Sequence, residues 1–299
     1  MDFTSNMNYV DGQITNDGTL VLIETELPEL EYRQWPVPKR NWTIRMLKDD
    51  KNEILELKNV PLIPSMVDFF SDGTILIVQS RCDGDGEKLA RNARRYNPNG
   101  QLISAFTLGD GINSVQIDET DTIWVSYFDE GVFGDYEYGE PMGSDGLVAY
   151  SIEGQKLWGA SPYEVADCYA LNVVHSKEVY FYYYVDFHLV QLSEQQEVAR
   201  FVVEGDDTFH QFIFDHQSMI VQVDSYTIKR YKIRNRTITP ADNVYLIDEN
   251  GKRISGQVFM RGKFLYAFGK NGLYRKTFSG VFTFVYKKAG LNHQAESFN

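Results

Sequence analysis

The densest run of chemically capable side chains lies between Phe128 and Gly146, FDEGVFGDYEYGEPMGSDG. Asp129 and Glu130 follow directly on the apolar run TIWVSY, so a strand end would hold both carboxylates in fixed positions. Phe133, Tyr136 and Tyr138 add ring faces and hydroxyls able to wall a pocket. The glycines between them allow sharp turns and close approach of backbone. Carboxylates beside aromatic rings suit a divalent cation, a cationic ligand or a polyhydroxylated one. An ordered loop that merely covers the end of a channel is the plainer reading of the same residues.

Other stretches carry chemistry of their own. Arg81, at the head of RCDGDGE, is suited to hold a carboxylate ligand or to pair with a neighbouring acid, and the pairing is the better-supported role. The same stretch lacks the third acidic ligand and the downstream glutamate of an EF-hand loop, so it reads as a solvated connection. ADCYALNVV places Asp167, Cys168, Tyr169 and Asn172 at the entrance of a strand. Cys168 would need a nearby histidine or cation to become a nucleophilic thiolate, and a buried, inert thiol is the expectation. In YFYYYVDFHLV, Asp186 and His188 are the polar exceptions in an aromatic strand, His188 having the type of a metal ligand or general base. Lys232, Arg234 and Arg236 alternate in KIRNR, as charges guarding an edge strand would. No G-x-S-x-G, phosphate-binding glycine loop, H-E-x-x-H or paired C-x-x-C is present. Metal-assisted hydrolysis through scattered carboxylates therefore remains as the alternative to simple binding.

Two signals alternate along the chain and supply the elements that must position these residues. One is a polar turn followed by an apolar strand, as in NDG-TLVLIE, SDG-TILIVQ and ETD-TIWVSY, with weaker copies from His175, Asp215 and Arg261. The other is a tight turn between two strands, as in NPNG-QLISAF, IEG-QKLWG, DENG-KRI and TFSG-VFTFVY. Glycine and asparagine suit such turns because positive φ costs them little. The repeat recurs at roughly 40–55 residues, the period of a four-stranded propeller blade. The fold class is therefore all-β, a six-bladed β-propeller of four-stranded antiparallel blades, with seven blades as the alternative. The units are placed at 9–57, 63–106, 112–159, 169–203, 208–254 and 255–287, the fifth being divisible in more than one way. Residues 1–287 form one domain on this reading, 288–299 are a patternless tail expected to be loose, and no helix of convincing length is expected.

A propeller sorts its own loops. Both hairpin turns of each blade fall on one face, while the connection between second and third strands and the links between blades fall on the other. That second face receives the long insertions and is where function is expected. The residues it should gather as ligand-binding are Arg81, Asp129, Glu130, Phe133, Tyr136, Asp167, Tyr169, Asn172, Asp186 and His188, with Glu24, Asp110, Asp207 and Asp224 as further acids.

Composition limits the partners. The formal charge of −13 argues against nucleic acid and anionic membrane surfaces. No basic leader or long apolar span is visible, and the two cysteines lack metal-type spacing, so a cytoplasmic chain with no metal and no cofactor is expected, with room left for a divalent cation. The partner would be a small molecule or a protein. The stretches YFDEGVFG and DCYALN, with SDGLVAY and YYYVDFHLV, resemble a family of uncharacterised bacterial proteins expected to form six-bladed propellers. The resemblance spans about residues 60–190 and implies the fold without implying an activity. Gluconolactonase-type propellers, which hold a divalent metal at the channel mouth, are a more distant analogy resting on fold alone.

Overall fold

In the computed structural model the described residues are 8–26, 37–49, 51–82, 89–134, 139–269, 272–278, 282–285 and 295–296. They form six successive four-stranded antiparallel units, at 8–60, 66–106, 112–159, 167–203, 211–244 and 258–285. The inner strand of each unit packs beside that of the next, and the sixth (Val258–Arg261) packs beside the first (Asn8–Ile14), which closes the ring. The protein is a β-propeller. Blades 4 and 5 are also joined at their outer strands by a short parallel pairing, Val202 with Thr237 and Val203 with Ile238.

The turn chemistry read from the sequence is visible in atoms. In the SDGT turn the Asp72 carboxylate accepts from the Thr74 amide (2.9 Å) and hydroxyl (2.6 Å), and Asp17 and Asp118 repeat the arrangement in blades 1 and 3. Such turns fix the register, so apolar residues of each inner pair face the neighbouring blade. Six hydrophobic clusters result, one in every seam between adjacent blades. At the closing seam Ile14, Leu20 and Leu22 of blade 1 pack on Phe259 and Tyr266 of blade 6. Gly18 is required there: its φ is +82°, and a Cβ would stand 2.5 Å from the Phe264 ring.

Three expectations need correction. The fifth blade ends at Val244, and its outer turn is Asn235–Arg236, both residues with positive φ. The DENG turn lies instead in the link to blade 6, held by the Ile247–Arg253 bridge. The glycine-free turn Asn235–Arg236 hid the true division. Lys232 and Arg234 consequently sit on a third strand flanked on both sides, not on an edge, and Arg236 is in the turn. Finally, Asp129–Phe133 is a single helical turn within what was read as loop. The short strand Ala295–Glu296 pairs with Phe282–Val285.

Candidate functional site

The loop face has its most built-up region at the seam of blades 2 and 3. The link between these blades passes directly under the one-turn helix, and two glycines make the contact possible. A Cβ on Gly131 would lie 2.4 Å from the Asp110 carbonyl oxygen, and one on Gly111 would lie 2.3 Å from the Gly131 nitrogen. Seated this way, the helix aims Glu130 at Arg81. Arg81 donates to Glu130 through Nη1 and lies 3.0 Å from Asp110 through Nη2, with its guanidinium 5.7 Å from the centre of the Phe128 ring. Asp110 also accepts from the Cys82 amide at 2.6 Å. A cavity of about 640 Å³ opens beside this network and is lined by Arg81, Asp110, Asp129, Glu130, Phe133 and Met142, among others. Four of the expected residues, Arg81, Asp129, Glu130 and Phe133, thus share one cavity. Phe133 is 57% exposed there, an unusual position for a phenylalanine.

A second group forms across the seam of blades 3 and 4. Asp167 opens the inner strand Asp167–His175 and pairs in the ladder with Tyr184. Desolvation, and then the charge of Asp129, push its carboxyl up from the ordinary 3.8 to about 6. Tyr169, half-buried beside it, is also raised, by burial first and then by Asp167 and other neighbours. Its ring meets those of Tyr182, Tyr184 and Phe187 at centroid distances of 5.8, 6.4 and 6.4 Å.

The remaining expected residues stand elsewhere. Asn172 is fully buried and spends both ends of its amide on backbone, donating to Phe212 O and accepting from the Gly262 amide at 2.8 Å each. Asp186, in the connection that follows the second strand of blade 4, and His188, which opens the third strand, are neighbours, with Nδ1 3.6 Å from Oδ2. Tyr136 and Tyr138 lie outside the described residues. Cys168 is buried, its thiol held far above the ordinary range by burial and then by Asp167, and both cysteines are free thiols. Several other acids are spoken for: Glu24 is buried against Arg45 (2.9 Å), Asp207 pairs with Lys229 (2.5 Å), and Asp224 accepts from the Tyr226 and Thr227 amides. A lactonase-type site needs several carboxylate or amide donors around one ion. Among the described residues no three His, Cys, Asp or Glu side chains converge in that manner.

The sequence reading missed the centre of the ring. Arg261, taken as a turn residue, is buried in the channel and bonds to four other blades. It donates to the carbonyls of Val173 (3.1 Å), Ile14 (3.0 Å) and Ile117, and pairs with the fully buried Asp68 at 2.6 Å. Above it remains a cavity of about 240 Å³ whose lining includes residues of all six inner strands and the segments leading into them. Side-chain amides tie neighbouring inner strands together: Gln116 bonds to Leu171 O and the Val173 amide, and Gln211 accepts from the Met260 amide. The available signal was an arginine ending the apolar strand VFMR, where the corresponding ends ITNDG and FFSDG are uncharged before the turn.

Residues 142–276 match the model of the YxzG family. The match includes DCYALN and YYYVDFHLV but begins after YFDEGVFG, at 127–134. No curated protein matches the chain. Among solved structures, the complex of KlAtg21 with the coiled-coil of AgAtg16 is similar with a TM-score of 0.54 and 10% identity, over 94% of this chain and 88% of that one. The Myceliophteria thermophila Cps50 (Swd1) β-propeller domain gives 0.52 and 9%, over 98% and 89%. A streptogramin B lyase gives 0.52 and 12%, over 93% and 78%. At these identities the likeness is one of fold. Among the described residues, no helix is long and apolar enough to cross a membrane.

Proposed function

We propose that the protein is a non-catalytic binding module that receives its ligand on the loop face, at the seam of blades 2 and 3. The observation that supports this is the 640 Å³ cavity in which Arg81, Asp129, Glu130 and Phe133 meet. An exposed phenylalanine supplies contact area. The ion pairs hold the cavity wall, because Arg81 is engaged from two sides and Glu130 rides on a helix seated by glycines. The overall charge of −13 and the carboxylates at the rim favour a cationic or polyhydroxylated ligand over an anionic one. No catalytic assembly is part of this reading: Cys168 is buried and protonated, and it is not paired with a histidine by any bond among the described residues.

The reading is tested by thermal melts against a panel of amines, amino sugars, polyols and divalent ions. A ligand held in this cavity raises the melting temperature of the native chain. The rise should vanish in Phe133→Ala, whose fold is untouched because the ring is exposed. Stabilisation that persists in Phe133→Ala and Glu130→Gln would place the ligand elsewhere and overturn the reading. Hydrolytic turnover of lactones or esters would overturn its non-catalytic part.

A further inference from the structure

Three times among the described residues an arginine sits over an aromatic ring while a carboxylate holds its guanidinium. Arg81 lies over Phe128 with Glu130 and Asp110. Arg95 lies 4.9 Å from the Phe70 centroid with Asp72 at 2.6 Å. Arg200 lies 5.1 Å from the Tyr163 centroid with Glu197 at 2.7 Å. The combination is favourable because a guanidinium is planar and weakly hydrated, so it stacks on a ring and still forks to a carboxylate.

The seam of blades 3 and 4 carries the ring and the carboxylates of a fourth such group, without its arginine. Tyr169 and Phe187 stack at 29° between ring planes, and Tyr184 meets Phe187 at 5.4 Å. Asp167, two residues before Tyr169 on the same strand, pairs in the ladder with Tyr184, and the helical turn that Asp129 opens packs against that strand. Among the described residues neither acid has a lysine or arginine partner. The rings are also on the outside: Tyr184, Val185 and Phe187 are 42%, 53% and 36% exposed, an apolar patch interrupted by Asp186 on the loop face of an acidic protein. Exposed patches of this kind mark interaction surfaces.

We propose that this patch docks a basic segment of a partner protein, with an arginine side chain seated against Tyr169 and Phe187 and held by Asp167 and Asp129. The proposal rests on the loop-face reading above and names the class of partner. An arginine suits the site better than a lysine, because two carboxylates and a stacked ring pair ask for a flat, forked cation. The occupant is a protein segment because the apolar patch beside the acids needs cover that a lone cation does not give.

The test is fluorescence anisotropy with a labelled peptide, Gly-Arg-Leu-Arg-Gly, whose leucine can cover the apolar patch, and its lysine counterpart. Four variants accompany the native chain: Asp167→Asn, Phe187→Ala, Glu130→Gln, and Glu153→Gln as a charge control on the hairpin face. Melting temperatures establish that each is folded. Asp167→Asn is an isosteric change at a carboxylate with no lysine or arginine partner among the described residues, and Phe187→Ala removes a partly exposed ring, so neither threatens the fold. The expected result is binding of the arginine peptide that falls about tenfold in Asp167→Asn and in Phe187→Ala, with the lysine peptide weaker by a similar factor. Glu153→Gln should leave it within about twofold, since a remote exposed charge is screened. No binding, or equal loss in Glu153→Gln, overturns the proposal. Loss in Glu130→Gln with Asp167→Asn unchanged also overturns it, but leaves the neighbouring cavity, and so the loop-face reading, standing.

Discussion

Removing Arg261 should loosen the whole ring, because one side chain serves five of the six blades. In Arg261→Met the Asp68 carboxylate, fully buried, loses the cation that faces it, and the carbonyls of Ile14, Ile117 and Val173 lose a donor. Breaking a buried pair by deleting one partner costs about 3–5 kcal/mol, since the remaining charge is left uncompensated. For a chain of 299 residues the unfolding entropy is about 0.6 kcal/mol/K, so a loss of about 4 kcal/mol lowers the melting temperature by about 6 °C. The double variant Asp68→Asn/Arg261→Met removes both charges and should recover part of that loss. Circular dichroism melts at pH 7 read both. A change below about 1 °C in Arg261→Met would refute the reasoning, showing that water entering the channel replaces the guanidinium without penalty.

Other consequences are narrower. Gly131→Ala must push the helix off the Asp110 carbonyl, costing about 1–3 kcal/mol, the usual penalty of overpacking; melts read the loss, and unchanged stability would mean the close approach is relaxed in solution. Cys168 should resist a thiol reagent at pH 8 in the native protein and react at once in denaturant, because its thiol is buried and held protonated. Asp167 gives a pH signature. Its folded carboxyl titrates at about 6 against an ordinary 3.8, so the native state binds more protons than the unfolded one between those values, and stability from this group falls as pH rises from about 4 to 6. Asp167→Asn removes the penalty and should gain on the order of 1 kcal/mol at pH 7, after discounting for solvent screening, and nothing near pH 4. An equal effect at both pH values would contradict the proposed crowding of Asp129 and Asp167.

The blade repeat was legible because its turns use residues with an obvious conformational reason, and SDGT and NPNG announce strand ends wherever they occur. Where a turn is built from Asn235–Arg236, with no glycine, the division failed. The sorting of loops between faces followed from topology, and Arg81, Asp129, Glu130 and Phe133, assigned to one face by it, line one cavity. Asn172 and Arg261 escaped because their partners are set by the closed ring, at separations of 40 to 247 residues along the chain. A polar residue entering an inner strand looks alike in sequence whether it serves a ligand or ties one strand to the next. Asn172 and Gln116 do the tying, as their bonds to neighbouring backbone make plain.

The central claim, that the loop face at the seam of blades 2 and 3 is the ligand surface, is tested most directly by hydrogen exchange with and without a stabilising ligand from the thermal panel. Protection is expected at 108–112, 127–134 and 139–146, the segments that carry Asp110, the helix and the far wall of the cavity. Protection centred on the hairpin turns near Gly18, Gly73 and Gly154, or a panel in which no compound stabilises the protein, would contradict it.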